Sequence, residues 1–462
     1  MASSAPDDYA LARVPQEARY HWFQIATQRV GQLSALSAFV VASALGFSMS
    51  FWSAFWAITI GAVILEVVCI FTGIIGQKEG LNTSILSRWT GFGHNGSALI
   101  GLAIGISLIG WFGIQSGVSA SGLATIMPWL PLWGWSLLFG LIITAVVMLG
   151  FHGMQWVANF AVPLFLILVG WAVVVELHTH NIGQLVTQAA PGPKMTIIAG
   201  ASIVAGGFIV GALISPDQTR YNRSVADVVK QTVVSITVGE YLTGLSGVLL
   251  AHAVKTADVS SIILSSVGWV GVLVILLGTI KINDWNLYSS GLGIVNFIDT
   301  VFGRKVNRAL VTVIVGVVGS ILAAAGILGH FTEFLVILGV AFPPIVGIMI
   351  AEYFIVKNWR GSLDDSRASN SLPVSAPRWV PVSLLIWLAS ALVGYYVTWG
   401  LGSLNAVITA FVLYVVLGKL GLIRGIGTVV TETADVEAHG IAAPAPEPVF
   451  TNDAHDGAVA AS

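Results

Sequence analysis

Residues 52–77 read WSAFWAITIGAVILEVVCIFTGIIGQ, and Glu66 is the one charged residue in the run. A helix rises about 1.5 Å per residue, so this run exceeds the roughly 20 residues needed to cross a hydrocarbon core. It is too long and continuous for a barrel strand, and an open sheet edge has no place in lipid. Similar runs lie near 30–50, 95–123, 132–151, 153–176, 196–214, 228–252, 261–292, 308–327, 331–355, 380–399 and 403–422. Numbered in chain order, with 52–77 as span 2, they predict an all-α integral membrane protein of twelve transmembrane helices.

The rest of the composition agrees. Of 462 residues, 56% are apolar and 9% charged, against about 25% charged in an ordinary soluble domain. Mean hydropathy is +0.88. This excludes a soluble enzyme and a disordered chain, and the net charge of -2 offers no nucleic acid a partner. The lone Cys69 forms no intrachain disulfide. The lipid bilayer is the first partner the sequence implies.

Residues 1–28 hold no apolar run and read as a cytoplasmic N-terminal tail, without a cleavable signal. Residues 426–462, rich in Ala, Pro, Thr and acids, read as a disordered cytoplasmic C-terminal tail. The transmembrane domain is then 29–425. With the N-terminus inside, seventeen of the 20 basic residues fall on the cytoplasmic side, Lys194 and Lys255 fall outside, and Lys281 lies within a span. That asymmetry is the positive-inside pattern, and places a multi-pass protein in the cytoplasmic membrane with both termini inside.

Two spans carry small or flexible residues where a helix could open. Span 1 has Ser34, Ser37, Ser43, Gly46 and Ser48; span 6 has Gly200, Ser202, Gly206, Gly207, Gly211 and Ser215, followed by Pro216. Ala44-Leu45-Gly46-Phe47 echoes Ala205-Gly206-Gly207-Phe208. Interrupted spans at matching places in two halves point to an inverted-repeat transporter with its site near mid-membrane. The plainer alternative is that the glycines let helices pack closely.

Four segments carry a resemblance: GWFGIQ (110–115), GGFIVGALISPDQTRYNR (206–223), INDWNLYSSGLG (282–293) and AFPPIVGIMIAEYF (341–354). In this order they resemble the nucleobase–cation symporter family 1, in particular its bacterial cytosine/purine permease branch. The similarity runs over about 30–360 and continues more weakly to 422. It implies a five-plus-five inverted repeat (about 30–176 and 196–355) with broken helices 1 and 6, plus two C-terminal helices (about 380–422). It also implies a small-molecule nucleobase substrate held between spans 1, 3, 6 and 8, and secondary active import.

Trp111 and Gln115 are four apart and share one helix face. An indole offers a stacking surface to a flat base, and a carboxamide offers a donor and an acceptor to its edge. The resemblance gives Trp111 a stacking role and lets Phe208 cover the opposite face. Unwound backbone near Gly206 and Gly207 would supply free N–H and C=O groups beside the cavity. Some members place a glutamine three residues before the tryptophan, where this chain has Leu108; others place it four after, as here. Asn283 and Asn286 are further substrate candidates on span 8, or else helix–helix hydrogen-bonding residues.

In sodium-coupled members, hydroxyl residues on span 8 complete a cation site with carbonyls of span 1. The aligned pair here is Lys281 and Ile282. An ammonium repels Na+, and Ile offers no oxygen, so the expected coupling cation is H+ rather than Na+. Intramembrane ionisable groups are costly and commonly functional. Lys281 could take the cation's place or form a structural pair with Asp284, one turn on; Glu66 and Glu240 are two further coupling candidates. Asp217, Arg220 and Arg223 are expected to pair across a gate rather than touch substrate.

Other readings remain open: a symporter or facilitator for another flat heterocycle (hydroxymethylpyrimidine, allantoin or a hydantoin), a channel, or a membrane enzyme. The nine histidines are scattered without metal-ligand spacing, so no catalytic residue, metal or cofactor is expected.

Overall fold

A computed structural model describes residues 9, 12–33, 36–148 and 180–431, with isolated positions between 167 and 178. The side chains of Gly31, Ser266, Val267, Val274, Lys281, Trp285 and Arg308 lie outside that set. So does the run expected as span 5, at 153–176, apart from those isolated positions.

Span 1 is helical over Trp22–Leu33 and Leu36–Ser48, and residues 34–35 lie outside the described ones. Span 2 is Phe51–Glu79, opened by the Ser50 side chain accepting from the Ser53 N–H and closed by Gly80 at φ 63°, the left-handed conformation glycine adopts without penalty. Span 3 is Gly93–Ile126, span 4 Leu132–Met148, span 6 Ile197–Leu213 and span 7 Val225–Val254. Span 8 is Val270–Phe302, span 9 Arg308–Ala324, span 11 Pro381–Tyr396 and span 12 Gly402–Lys419. Span 10 is segmented into Phe331–Ala341, Pro343–Ile350 and Ala351–Val356, its first break falling before Pro343-Pro344. Prolines remove N–H donors and end the preceding helix there. Six of the described helices are long and apolar enough to cross a membrane.

The packing follows the two halves. Spans 1, 2, 6 and 7 pack as one group, and spans 3, 4, 8 and 9 as another. Each group takes two helices from each half at corresponding positions, which is how a five-plus-five repeat assembles. Glycines bring the backbones together: a Cβ on Gly293 would stand 2.6 Å from the Gly101 carbonyl oxygen where spans 3 and 8 cross. Several glycines therefore do serve close packing.

Four boundaries differ from expectation. The run at 261–292 is two helices, Val259–Val267 and Val270–Phe302, separated at Gly268 with φ 61°. Span 6 stays helical through Gly206 and Gly207, and its break comes at Ile214–Ser215, ahead of Pro216–Thr219. The C-terminal tail does not begin at 426: Ile426–Val430 (β2) pairs antiparallel with Ser375–Trp379 (β1), Ser375 opposite Val430. Backbone pairing, which composition cannot report, orders that stretch; residues 432–462 lie outside the described ones. Within the expected N-terminal tail, the helix already starts at Trp22, and Arg13 is almost wholly buried.

Arg13 anchors one end of the bundle. Its guanidinium donates to the Glu79 carboxylate at 2.9 Å, to Ser366 Oγ at 2.7 Å and to the Ser371 carbonyl at 2.7 Å. Glu79 also pairs with Arg367 and accepts from the Tyr353 hydroxyl at 2.5 Å. Burial pushes the Arg13 pKa down, and the hydrogen bond and charge of Glu79 oppose that shift. The segment before span 1, the end of span 2 and the helix Arg360–Ala368 are thereby clamped together. β1 and β2 lie at this same end, through Ser371 and Ser375.

Candidate functional site

Between the two helix groups lies a cavity lined by residues of spans 1, 2, 3, 6 and 7. Gln32, Leu33 and Ser37 of span 1 line it. Trp111 reaches it from span 3, Gly207 and Phe208 from span 6, and Glu240 from span 7. The two rings singled out in the sequence thus share one chamber.

The GWFG segment explains how the indole is held. Phe331 and Phe334 of span 10 stand edge-on to Trp111, with ring centroids at 5.9 Å and 5.5 Å. Gly110 makes room for this: a Cβ there would stand 2.5 Å from the Phe334 ring. Phe112 points the other way and fits against Gly319 of span 9, where a Cβ would stand 2.5 Å from its ring. One helical motif thus presents an aromatic face to the cavity and seats two neighbouring spans. Phe331 and Phe334 were missed by sequence reasoning because nothing local ties span 10 to position 111.

Phe208 lies along its own helix over Gly211, where a Cβ would stand 2.6 Å from the ring. Gly206 and Gly207 divide the work between packing and site. Gly206 faces span 10, where an added Cβ would collide with the Leu335 carbonyl oxygen, and Gly207 faces the cavity and Val41. The expected unwinding at this pair is corrected: the helix runs through both, so its backbone hydrogen-bonding groups are committed to the helix.

The remaining candidates lie elsewhere. Gln115 is buried and is not among the cavity-lining residues. Asn283 donates to the Phe112 carbonyl at 3.3 Å and to Ser116 Oγ at 3.1 Å, and Asn286 donates to Asn283 Oδ1 at 3.4 Å. The two Asn283 bonds tie span 8 to span 3, and the Asn286 bond lies within span 8. One turn earlier, Thr279 and Ser119 hydrogen-bond across the same seam. Asp284 is fully buried on span 8. Lys281 lies in that helix, and its side chain is outside the described residues.

Of the two other acids, Glu66 accepts from Thr237 Oγ1 at 2.7 Å and joins span 2 to span 7. Glu240, three residues after Thr237, lines the cavity with the aromatic rings. At the exit of span 6, Asp217 accepts from the Thr83 N–H at 2.6 Å, Arg220 donates to the Tyr9 carbonyl and Arg223 to the Arg19 carbonyl. Burial pushes the Asp217 pKa up, and the Thr83 hydrogen bond opposes that shift.

The family profile described as "Permease for cytosine/purines, uracil, thiamine, allantoin" matches residues 13–421. The chain belongs to the nucleobase–cation symporter family 1. It is similar to the cytosine permease of Escherichia coli strain K12, 28% identical over 355 residues, covering 76% of this chain and 82% of that permease. It is also similar to the hydantoin permease of Microbacterium maritypicum, 26% identical over 393 residues, covering 79% and 77%. The fold of this family member matches the inward-facing conformation of Mhp1 at a TM-score of 0.76 and 19% identity, covering 92% of this chain and all of that one. A closed Mhp1 with bromovinylhydantoin bound, described as a nucleobase-cation-symport-1 family transporter, matches at 0.68 and 21% identity, covering 91% and 96%. This member of the family is a multi-pass membrane transporter and not an enzyme.

Proposed function

We propose that the chain imports nucleobases, cytosine or purines, across the cytoplasmic membrane by alternating access, with both termini in the cytoplasm. The observation that carries this reading is the shared cavity of Trp111 and Phe208. Rings from spans 3 and 6, one from each half of the repeat, can cover the two faces of a planar solute. By analogy with aromatic platforms for single strands, such stacking contributes about 1–3 kcal/mol per base. Gly207 keeps the wall beside Phe208 low, and Gln32, Ser37 and Glu240 supply polar contacts in an otherwise apolar chamber. Asn283 braces span 3 from span 8 through the Phe112 carbonyl and Ser116, one turn along from Trp111.

Coupling is proposed to run on H+ rather than Na+. In the sequence, Lys281 and Ile282 stand where sodium-coupled members carry hydroxyl residues, and Thr279 is hydrogen-bonded to Ser119. Lys281, Asp284, Glu66 and Glu240 are the ionisable residues through which a proton would act. A hydantoin or another flat heterocycle is the second reading, favoured by the likeness to a hydantoin permease.

Proteoliposomes loaded at defined pH and Na+ test both parts. The expected result is uphill uptake of labelled cytosine or adenine under an inward proton gradient, with none driven by Na+ at constant pH. Sodium-driven uptake would refute the coupling assignment. A channel-like carrier would equilibrate base across the membrane without accumulating it under either gradient.

A further inference from the structure

Stacking rings grip the faces of a base but do not read its edge, so selection among bases falls to the polar groups beside them. The cavity has one charged lining residue, Glu240, with Gln32 and Ser37 as polar companions. Gln32 has its carbonyl oxygen occupied, accepting from Gln218 Nε2 at 2.9 Å. Its amide NH2 donates to no group among the described residues, which leaves a donor at the cavity. Glu240 forms no hydrogen bond or ion pair among the described residues and enters the chamber as an acceptor-bearing carboxyl.

Resting on the base-carrier reading above, we infer that Glu240, with Gln32, is the specificity-determining pair, and that it selects bases with an amino group beside a ring nitrogen. Cytosine and adenine carry that edge; uracil, xanthine and hydantoins present carbonyl–NH–carbonyl edges instead. An ionised carboxylate only accepts, so it takes the exocyclic amino N–H. The selection belongs to the ionised form: a protonated carboxyl, or an amide in its place, matches the NH–carbonyl edge of uracil as readily as the amino–nitrogen edge, having one donor and one acceptor for either. A carbonyl–NH–carbonyl edge offers the carboxylate a single N–H flanked by two oxygens, which repel it. The Gln32 amide suits the amino bases as well, because it donates to an acceptor elsewhere on the ring.

The test is equilibrium binding of a panel of labelled or competing bases to the purified full chain, without any gradient. The panel pairs cytosine with 2-hydroxypyrimidine and uracil, and adenine with purine and xanthine. The expected result is that the amino base of each set binds at least about tenfold tighter than its partners, the scale of one well-made hydrogen bond to a charged group. Glu240→Gln, which replaces one acceptor oxygen with a donating NH2, should narrow that ratio to about threefold or less. Equal binding of amino and non-amino bases by the unaltered chain would overturn the inference while leaving the base-carrier reading intact. An unchanged ratio in Glu240→Gln would do the same. Absence of all base binding would instead overturn the reading on which it rests. The comparison of cytosine with 2-hydroxypyrimidine needs no variant, so it decides the matter even if Glu240→Gln does not fold.

Discussion

The Phe334 ring stands edge-on to the Trp111 indole, with centroids 5.5 Å apart and planes at 83°, and leans on Gly110. Edge-to-face aromatic pairs contribute about 0.5–1.5 kcal/mol beyond their buried area. Phe334→Ala should therefore free the indole and weaken base affinity by about threefold to tenfold. Titration of cytosine binding measures this; unchanged affinity would show that Trp111 is held by other contacts.

Trp111→Ala and Phe208→Ala each remove one wall of the chamber. The expected loss is about 1–3 kcal/mol per ring, or roughly fivefold to a hundredfold in affinity. The double variant should lose more than the sum of the two single losses, because a base that keeps one wall retains part of its stacking. If Trp111→Ala binds base as tightly as the unaltered chain, the site is misassigned.

Gly206→Ala should damage the fold rather than the site. Its new Cβ would collide with the Leu335 backbone oxygen, and overpacking costs about 1–3 kcal/mol. Gly207→Ala, whose Cβ would meet Val41 at an ordinary 3.4 Å, should leave thermal stability near that of the unaltered chain. Thermal unfolding in detergent separates the two, and equal melting temperatures would contradict the packing role of Gly206.

Glu79 is fully buried between Arg13 and Arg367. Breaking a buried pair by removing one partner costs about 3–5 kcal/mol, because the other charge is left without compensation. Glu79→Gln should thus destabilise the chain strongly. Asp364→Asn serves as the control, since Asp364 meets Arg360 and Arg367 at a half-exposed position where ion pairs contribute about 0–1 kcal/mol. Similar melting temperatures for the two variants would refute the clamp.

Much of this architecture was readable in advance, because lipid imposes a strict local rule. A helix satisfies its backbone within itself, so length and hydropathy alone mark spans such as Phe51–Glu79. Trp111 and Phe208 were legible through the motifs around them. The place where span 6 breaks was not. Glycines at 206 and 207 permit unwinding equally with close packing, and only the approach of Leu335 shows which applies at Gly206.

The sequence on its own determined the membrane class and the position of most spans and singled out the aromatic pair, since each depends on residue type and spacing along one helix. The tertiary structure alone decided that Glu240 joins those rings while Asn283 binds span 8 to span 3, with Asn286 bonded to Asn283 within span 8. It also decided that Arg13 and Ile426–Val430 belong to the folded body. The physical reason is that a side chain's polarity is local, whereas what it faces depends on helices and strands brought together from distant parts of the chain.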